Sequence, residues 1–473
     1  MTEPHHQYCS WCFKKTNHVL KERGVVSRHT YICEECENHT IPCRICDHMA
    51  RGALRESQLK ELDSKTKRLF GSWSDHLCAE HNGAIASFES LSIKLDDIDR
   101  YADIFIRKSV NVSRAAKYSA YGVVGAVAVG AIVVTSGGAA PMAAALGTTG
   151  ALGAAGTGTA ISTLSGAALT SASLAAIGGS MAAGTAIISA TGAALGGIYG
   201  GVVANRYHSE DSSFKISALS EIDTDRRTIF INGFTEQLNE TFEEWSVQQL
   251  SMDPVQKLYG VNWSSKTRLE LGKTFAAGVG SKGALAMLKT IAKSGGKAAA
   301  KNLNLLMMLD TIADIAGNPW HTSMVRASQA GIQLAEALSR TNGKTFTLVG
   351  HSLGCRVIYY ALEALATKNE NFVANVILLG GAVGRDDNYG WRKACSAVSG
   401  TIFNCYSAKD TVLEHLYRTA NARLSDPIGA RPISLEDNQI VNIDCSDIVD
   451  SHFSWKPRYT DIINRIRNIH MGS

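Results

Sequence analysis

Ser352 stands in the sequence Gly350-His351-Ser352-Leu353-Gly354, after the strand-like run "KTFTLVG" (344–350) and before the helix-like run "CRVIYYALEALATK" (355–368). A serine between glycines at a strand–turn–helix junction is lifted above the carboxyl edge of a sheet, where it can act as a nucleophile. Serine alone reacts poorly, so it needs a histidine base and a carboxylate to orient that base. In this arrangement the acid follows a later strand and the base follows the last one. Asp410 lies just beyond the run "TIFNCYS" (401–407), and His452 lies beyond "QIVNID" (439–444), so the chain order is Ser352, Asp410, His452. Asp386 and Asp387, after "NVILLGG" (375–381), are rival acids, and Asp410 alone also reads as a helix N-cap before "TVLEHL". His351 neighbours the serine, so its side chain points away from it, and His415 falls within a helical stretch; neither suits the base. The oxyanion of acyl transfer needs backbone N–H donors. One is expected from Leu353 and one from Phe234, with Gly233 making the turn at the end of "RTIFING" (227–233).

The second chemistry-bearing pattern is made of cysteines. Seven of the eleven lie before residue 80, six of them in C-x-x-C pairs. That distribution is the pattern of metal ligation in a reducing compartment rather than of disulfides. Cys9/Cys12 with Cys33/Cys36 reads as a zinc ribbon, and Cys43/Cys46 with Cys78/His81 as a second site. A cross-braced pairing, 9/12 with 43/46, fits the spacing too, and His39, His48 and His76 are spare donors. Two closed ligand sets imply two structural zinc ions and a domain that binds a protein partner or the hydrolase region rather than catalysing a reaction.

The elements that must position these residues fall into distinct stretches. Residues 1–84 hold the cysteine pairs. Phe88, Leu91, Leu95, Ile98, Ala102 and Phe105 recur three and four apart, which predicts an amphipathic helix over 85–117. From Tyr118 to Asn205 there are 88 consecutive residues without Asp, Glu, Lys or Arg. Its Gly/Ala-rich pieces approach the ~20 residues a bilayer-crossing helix needs, and Gly192, Gly196 and Gly200 make a face for close helix packing. Arg107, Lys108, Arg114 and Lys117 ahead of it and Arg206 behind it predict an even number of crossings, with both flanks in the cytoplasm. The other reading is a soluble Ala/Gly helical layer. Residues 225–470 alternate six β-rich runs with helical stretches such as 323–340 and 355–368, which predicts a mainly parallel sheet with helices on both faces. About 80 residues separate the runs 257–263 and 344–350, more than one crossover needs. Within them the apolar 269–317 reads as a cap suited to a hydrophobic substrate, or as a pair of peripheral helices. A net charge of +4 on 473 residues gives no ground for a nucleic-acid partner. The opening "MTEPHHQYCSWC" lacks the basic and apolar regions of a secretory leader.

Several spaced blocks, "NPWHTSMVRASQAGIQLAEAL", "VGHSLGCRVIYYAL", "VILLGGAV", "YSAKDTVLEHLYR" and "DIVDSHFSW", are similar to the transmembrane and coiled-coil domain-containing family of uncharacterised hydrolases. The resemblance implies an α/β-hydrolase fold with Ser352, Asp410 and His452 as the triad, and a membrane-associated region ahead of it. "YCSWC…YICEEC" resembles the small zinc-binding domain of a AAA+ protease-unfoldase subunit. Together these readings give a membrane-associated serine hydrolase acting on a hydrophobic ester, an esterase or lipase in the broad sense, with its zinc domain and hydrolase domain facing the cytoplasm. The alternative is a membrane-embedding effector or scaffold whose hydrolase fold recognises a partner. An intact triad separates the two, since a scaffold has no reason to keep one.

Overall fold

A computed structural model describes residues 5–24, 28–52, 76–82, 84–106, 213–233, 242–263, 319–368, 370–411, 413–414, 417 and 426–471. The apolar stretch 118–205 and the stretch 269–317 lie outside the described residues. Those described fall into two compact units. One holds the residues up to Lys94 with 101–106, and the other holds Leu95–Arg100 and everything from 213 onward.

The first unit is a five-stranded antiparallel sheet in sequential order: β1 (His5–Tyr8), β2 (Lys15–Glu22), β3 (Thr30–Cys33), β4 (His39–Pro42) and β5 (Met49–Ala50). Its strands are short and largely polar, so it has little apolar surface to bury. Its two small cores form around Cys9, Trp11 and Cys33, and around Phe13, Cys43, Ile45, Cys78, Ile85 and Phe88.

The second unit carries a seven-stranded sheet in the order β12-β11-β10-β9-β7-β8-β6. Its strands are β6 (Lys215–Ala218), β7 (Arg227–Ile231), β8 (Lys257–Asn262), β9 (Phe346–His351), β10 (Val373–Leu379), β11 (Ile402–Tyr406) and β12 (Ile440–Asp444). Every pairing is parallel except β6 on β8. The six runs expected from sequence are all strands. β6 is additional and lies ahead of the expected start at 225; its signal, buried Phe214 and Ile216 alternating with polar residues, is only two positions long.

The central strands read as unbroken apolar runs because both faces are covered. Register aligns Phe230, Val349, Ile377 and Phe403 in one row across four strands. Onto that row pack Trp245 of α1 (Glu243–Met252) and Tyr459, Ile462 and Ile466 of α5 (Tyr459–Met471). Each aliphatic or Phe side chain there contributes roughly 1.5–3 kcal/mol by leaving water. On the other face, Gly350 meets Ile358 of α3 (Leu353–Leu365), and α2 (Pro319–Arg340) packs along α3. α4 (Asn388–Ser396) follows β10.

The helix expected over 85–117 is corrected over its described part. Residues 89–92 and 98–105 are two 3-10 turns with extended chain between them. Leu95 donates its N–H to the Arg340 carbonyl (2.7 Å) and accepts from the Asn342 N–H (2.9 Å). Asp97 accepts from Lys257 Nζ (2.5 Å) and Tyr259 Oη (2.6 Å). Backbone groups already bonded to the α2–β9 turn cannot close a helical ladder, so the apolar spacing is met by burial without a helix. Among the described residues, no helix is long and apolar enough to cross a membrane.

Candidate active site and metal clusters

Ser352 occupies the turn between β9 and α3 with φ 57° and ψ −120°, a left-handed backbone rare for a residue with a side chain. Its N–H donates to the Leu379 carbonyl (3.0 Å), and its carbonyl accepts from the Ala382 N–H (3.0 Å). Two glycines let the chain close on this turn. A Cβ on Gly354 would come 2.1 Å from the Ile231 carbonyl oxygen, and one on Gly233 would come 2.6 Å from Ser352 Cβ. The same Gly233 position lies 3.1 Å from the Leu353 nitrogen, so the end of β7 packs directly on the first N–H of α3. N–H groups in a helix's first turn have no intrahelical partner and favour negative charge. Phe234, the other expected donor, lies outside the described residues.

The parallel sheet brings two more loops to this edge. Asp410 follows β11 and His452 follows β12. His452 Nε2 is 2.9 Å from Ser352 Oγ, and its Nδ1 is 2.7 Å from Asp410 Oδ2. All three are buried. The Asp410 carboxylate also accepts from Trp455 Nε1 (3.0 Å) and the Leu413 N–H (3.1 Å). An acceptor with three donors around it fixes the tautomer: Nδ1 carries the proton and Nε2 accepts from the serine hydroxyl. Such a chain draws a hydroxyl proton toward an imidazole held in one orientation.

The rival acids are engaged elsewhere. Asp387 accepts from the Gly390 N–H and Tyr359 Oη, capping α4, and Asp386 accepts from Ser434 Oγ. His415 lies outside the described residues. Sequence reasoning missed Trp455. A tryptophan three residues after a histidine carries no motif of its own, and only the fold aims its indole N–H at Asp410.

The cysteine clusters form in sequential rather than cross-braced pairing: Cys9, Cys12, Cys33 and Cys36 in one, Cys43, Cys46, Cys78 and His81 in the other. Both pairs of the first cluster are built alike. Phe13 and Glu37 follow the second cysteine of each pair with positive φ (61° and 57°), and their N–H groups donate to the Cys9 and Cys33 carbonyls. Backbone N–H groups also point at sulfur, Trp11 at Cys9 and both Ile45 and Cys78 at Cys43. These bonds favour thiolate. The Cys36 thiol is held down to about 2, first by its hydrogen bond with Cys12, and Cys12 is pushed up to about 12 in return. Thiols this crowded must share protons unless a cation replaces them. Sulfurs lie 3.9 Å (Cys9–Cys36), 3.8 Å (Cys12–Cys33) and 3.6 Å (Cys46–Cys78) apart. A tetrahedral metal with bonds of about 2.3 Å to sulfur needs neighbouring sulfurs about 3.8 Å apart. Both donor sets therefore fit a metal ion. His39, His48 and His76 belong to neither: His39 meets Lys21, and His48 meets Gln7 and Glu80.

A family model described as "Protein of unknown function (DUF726)" matches residues 112–469. The chain belongs to this family. The match leaves both cysteine clusters ahead of it. A Caenorhabditis elegans relative, "Uncharacterized membrane protein F35D11.3", is 27% identical over 59% of this chain and 46% of its own length. "Probable lipase MIL1" of Saccharomyces cerevisiae is 31% identical over 46% of this chain and 20% of its own length. "Transmembrane and coiled-coil domain-containing protein STS1" of rice (Oryza sativa subsp. japonica) is 28% identical over 59% and 42%. The match thus spans less than half the length of each of these relatives.

The packing of Gly233 on the Ser352 turn gives a direct test. Gly233→Ala should cost about 1–3 kcal/mol of stability by overpacking, read as a lower urea midpoint at an unchanged slope. A variant as stable as the wild type would show that the two turns are not in contact.

Proposed function

We propose that this DUF726 protein is a serine hydrolase of hydrophobic esters. The hydrogen-bonded chain Ser352–His452–Asp410 on the carboxyl edge of a parallel sheet carries the reading. Ser352 Oγ attacks the ester carbonyl while His452 Nε2 takes its proton, and Asp410 stabilises the resulting imidazolium. The oxyanion is held by the Leu353 N–H in this reading; Phe234, expected from sequence to give a second N–H, lies outside the described residues. His452 then protonates the departing alcohol, leaving an acyl-Ser352 ester. Water attacks that ester with His452 as base, releasing the acid and restoring the serine. The name of one relative, a probable lipase, supports an acyl ester of lipid type as substrate. The direct experiment is labelling with a fluorophosphonate, which phosphonylates activated serines. Wild type should label; Ser352→Ala should not, and Asp410→Asn should label about 10³–10⁴-fold more slowly. An unlabelled, folded wild type would sink the reading.

The first unit is a zinc domain in this reading. Cys₄ and Cys₃His sets with no open position are structural zinc ligands, and closing them stabilises a unit whose apolar cores are small. The domain then serves to hold a protein partner. Elemental analysis should give two zinc ions per chain, and Cys33→Ser should leave one without ending fluorophosphonate labelling. Fewer than one zinc in the wild type, with residues 5–52 resistant to protease, would refute it.

The uncharged stretch 118–205 is the proposed membrane anchor, crossing an even number of times with both units on the cytoplasmic, reducing side. The membrane-protein names of relatives support it. The full chain should stay with the membrane fraction through alkaline carbonate and be released by detergent, while a chain lacking 118–205 should be soluble and still label. Release of the full chain by carbonate alone would overturn the anchor and leave the triad standing.

A further inference from the structure

The motif residue without a role so far is His351. Along β9 the side chains alternate, so His351 lies on the same face as Val349, toward α1 and α5 and away from the Ser352 hydroxyl. It is nonetheless joined to the active site. His351 Nε2 is 3.3 Å from the backbone carbonyl oxygen of His452, and the two rings lie 4.9 Å apart at 33°. A carbonyl only accepts, so His351 holds its proton on Nε2 and donates it there.

Burial pushes the His351 imidazole well below its usual pKa, and the neighbouring His452 and Lys456 push it the same way. Across the working range it is therefore an uncharged donor. That matters because His452 becomes a cation each time it accepts the serine proton, and a second cation against its ring would oppose that step.

This bond gives the base a tether. His452 sits in the loop that follows β12, a hundred residues from the serine it must serve. Its ring is held at Nδ1 by Asp410 and at Nε2 by Ser352, but those bonds orient the ring and do not fix the backbone that carries it. We infer that His351 is a positioning residue for the proposed hydrolysis, tying the backbone of the base to the strand that ends in the nucleophile. This neutral hydrogen bond adds to the contacts that keep nucleophile and base at their spacing. This inference rests on the serine-hydrolase reading.

The test compares wild type, His351→Gln, whose amide N–H reaches about as far as Nε2, and His351→Phe, which keeps a ring but has no donor. With p-nitrophenyl butyrate as substrate, His351→Phe should lower kcat at least about tenfold while changing KM less than about threefold. His351→Gln should recover kcat to within about threefold of wild type. The low-field N–H resonance of the His452–Asp410 bond, identified by its loss in Asp410→Ala, should broaden or vanish in His351→Phe and return in His351→Gln. Full kcat in His351→Phe overturns the inference. So does a His351→Gln enzyme as impaired as His351→Phe when both melt like the wild type. If the phenylalanine variant does not fold, His351→Met supplies the donorless side chain. If the wild type hydrolyses nothing, the serine-hydrolase reading fails by itself. The resonance then still decides the tether, and a signal unchanged in His351→Phe sinks it.

Discussion

The backbone of Ser352 is the constraint on which the second unit depends. A non-glycine residue in a sparsely populated backbone region costs of order 1–3 kcal/mol and persists only where its surroundings over-determine it. Here they do. The serine N–H is bonded to β10 through Leu379, and its carbonyl to the segment after β10 through Ala382. The chain on either side packs closely against the end of β7, Gly354 on the Ile231 carbonyl and His351 on Gly233. The turn is thus held by three consecutive strands of the sheet, β7, β9 and β10. Relaxing it would mean separating those strands, with the apolar row Phe230, Val349, Ile377 that joins them.

That arrangement also explains why groups so far apart in sequence converge. In a parallel sheet every strand ends on the same edge, so the loops after β9, β11 and β12 are neighbours whatever their separation along the chain. Trp455 then adds a bond that serves two ends. Its indole N–H satisfies Asp410, and its ring packs in the core between the sheet and α5. The carboxylate is therefore held by the core itself as well as by its own turn.

Much of this was legible in the residues. The inner strands announce themselves because parallel strands buried on both faces read as apolar runs, the edge strand β12 shows as a shorter β-rich run, and Ser352, Asp410 and His452 stand just past the ends of three of these strands. What was not legible depends on contacts far along the chain. β6 is a four-residue edge strand paired to β8 with one buried side chain of its own, Ile216, and buried Phe214 just ahead of it. The stripe from Phe88 to Phe105 has helical spacing, yet Leu95 gives its backbone bonds to residues 340 and 342, which no local pattern predicts. The pairing of the metal ligands was open for a related reason: C-x-x-C spacing says which cysteines share a turn, not which turns meet. That is decided by sheet order, since β3 lies beside β2 and brings Cys33 and Cys36 to Cys9 and Cys12.

The two units solve the problem of folding in opposite ways, and the sites follow from that difference. The second buries large apolar rows and can use the surplus to hold a strained serine and a fully buried carboxylate in place. The first has short polar strands, and its two small cores include cysteines of both clusters. Where apolar burial is scarce, ligands drawn from distant turns take over the work of joining them, and the backbone N–H groups aimed at Cys9 and Cys43 prepare the sulfurs for positive charge. Chemistry that needs strain sits on the unit with the apolar core. Chemistry that supplies cohesion sits on the unit that lacks one.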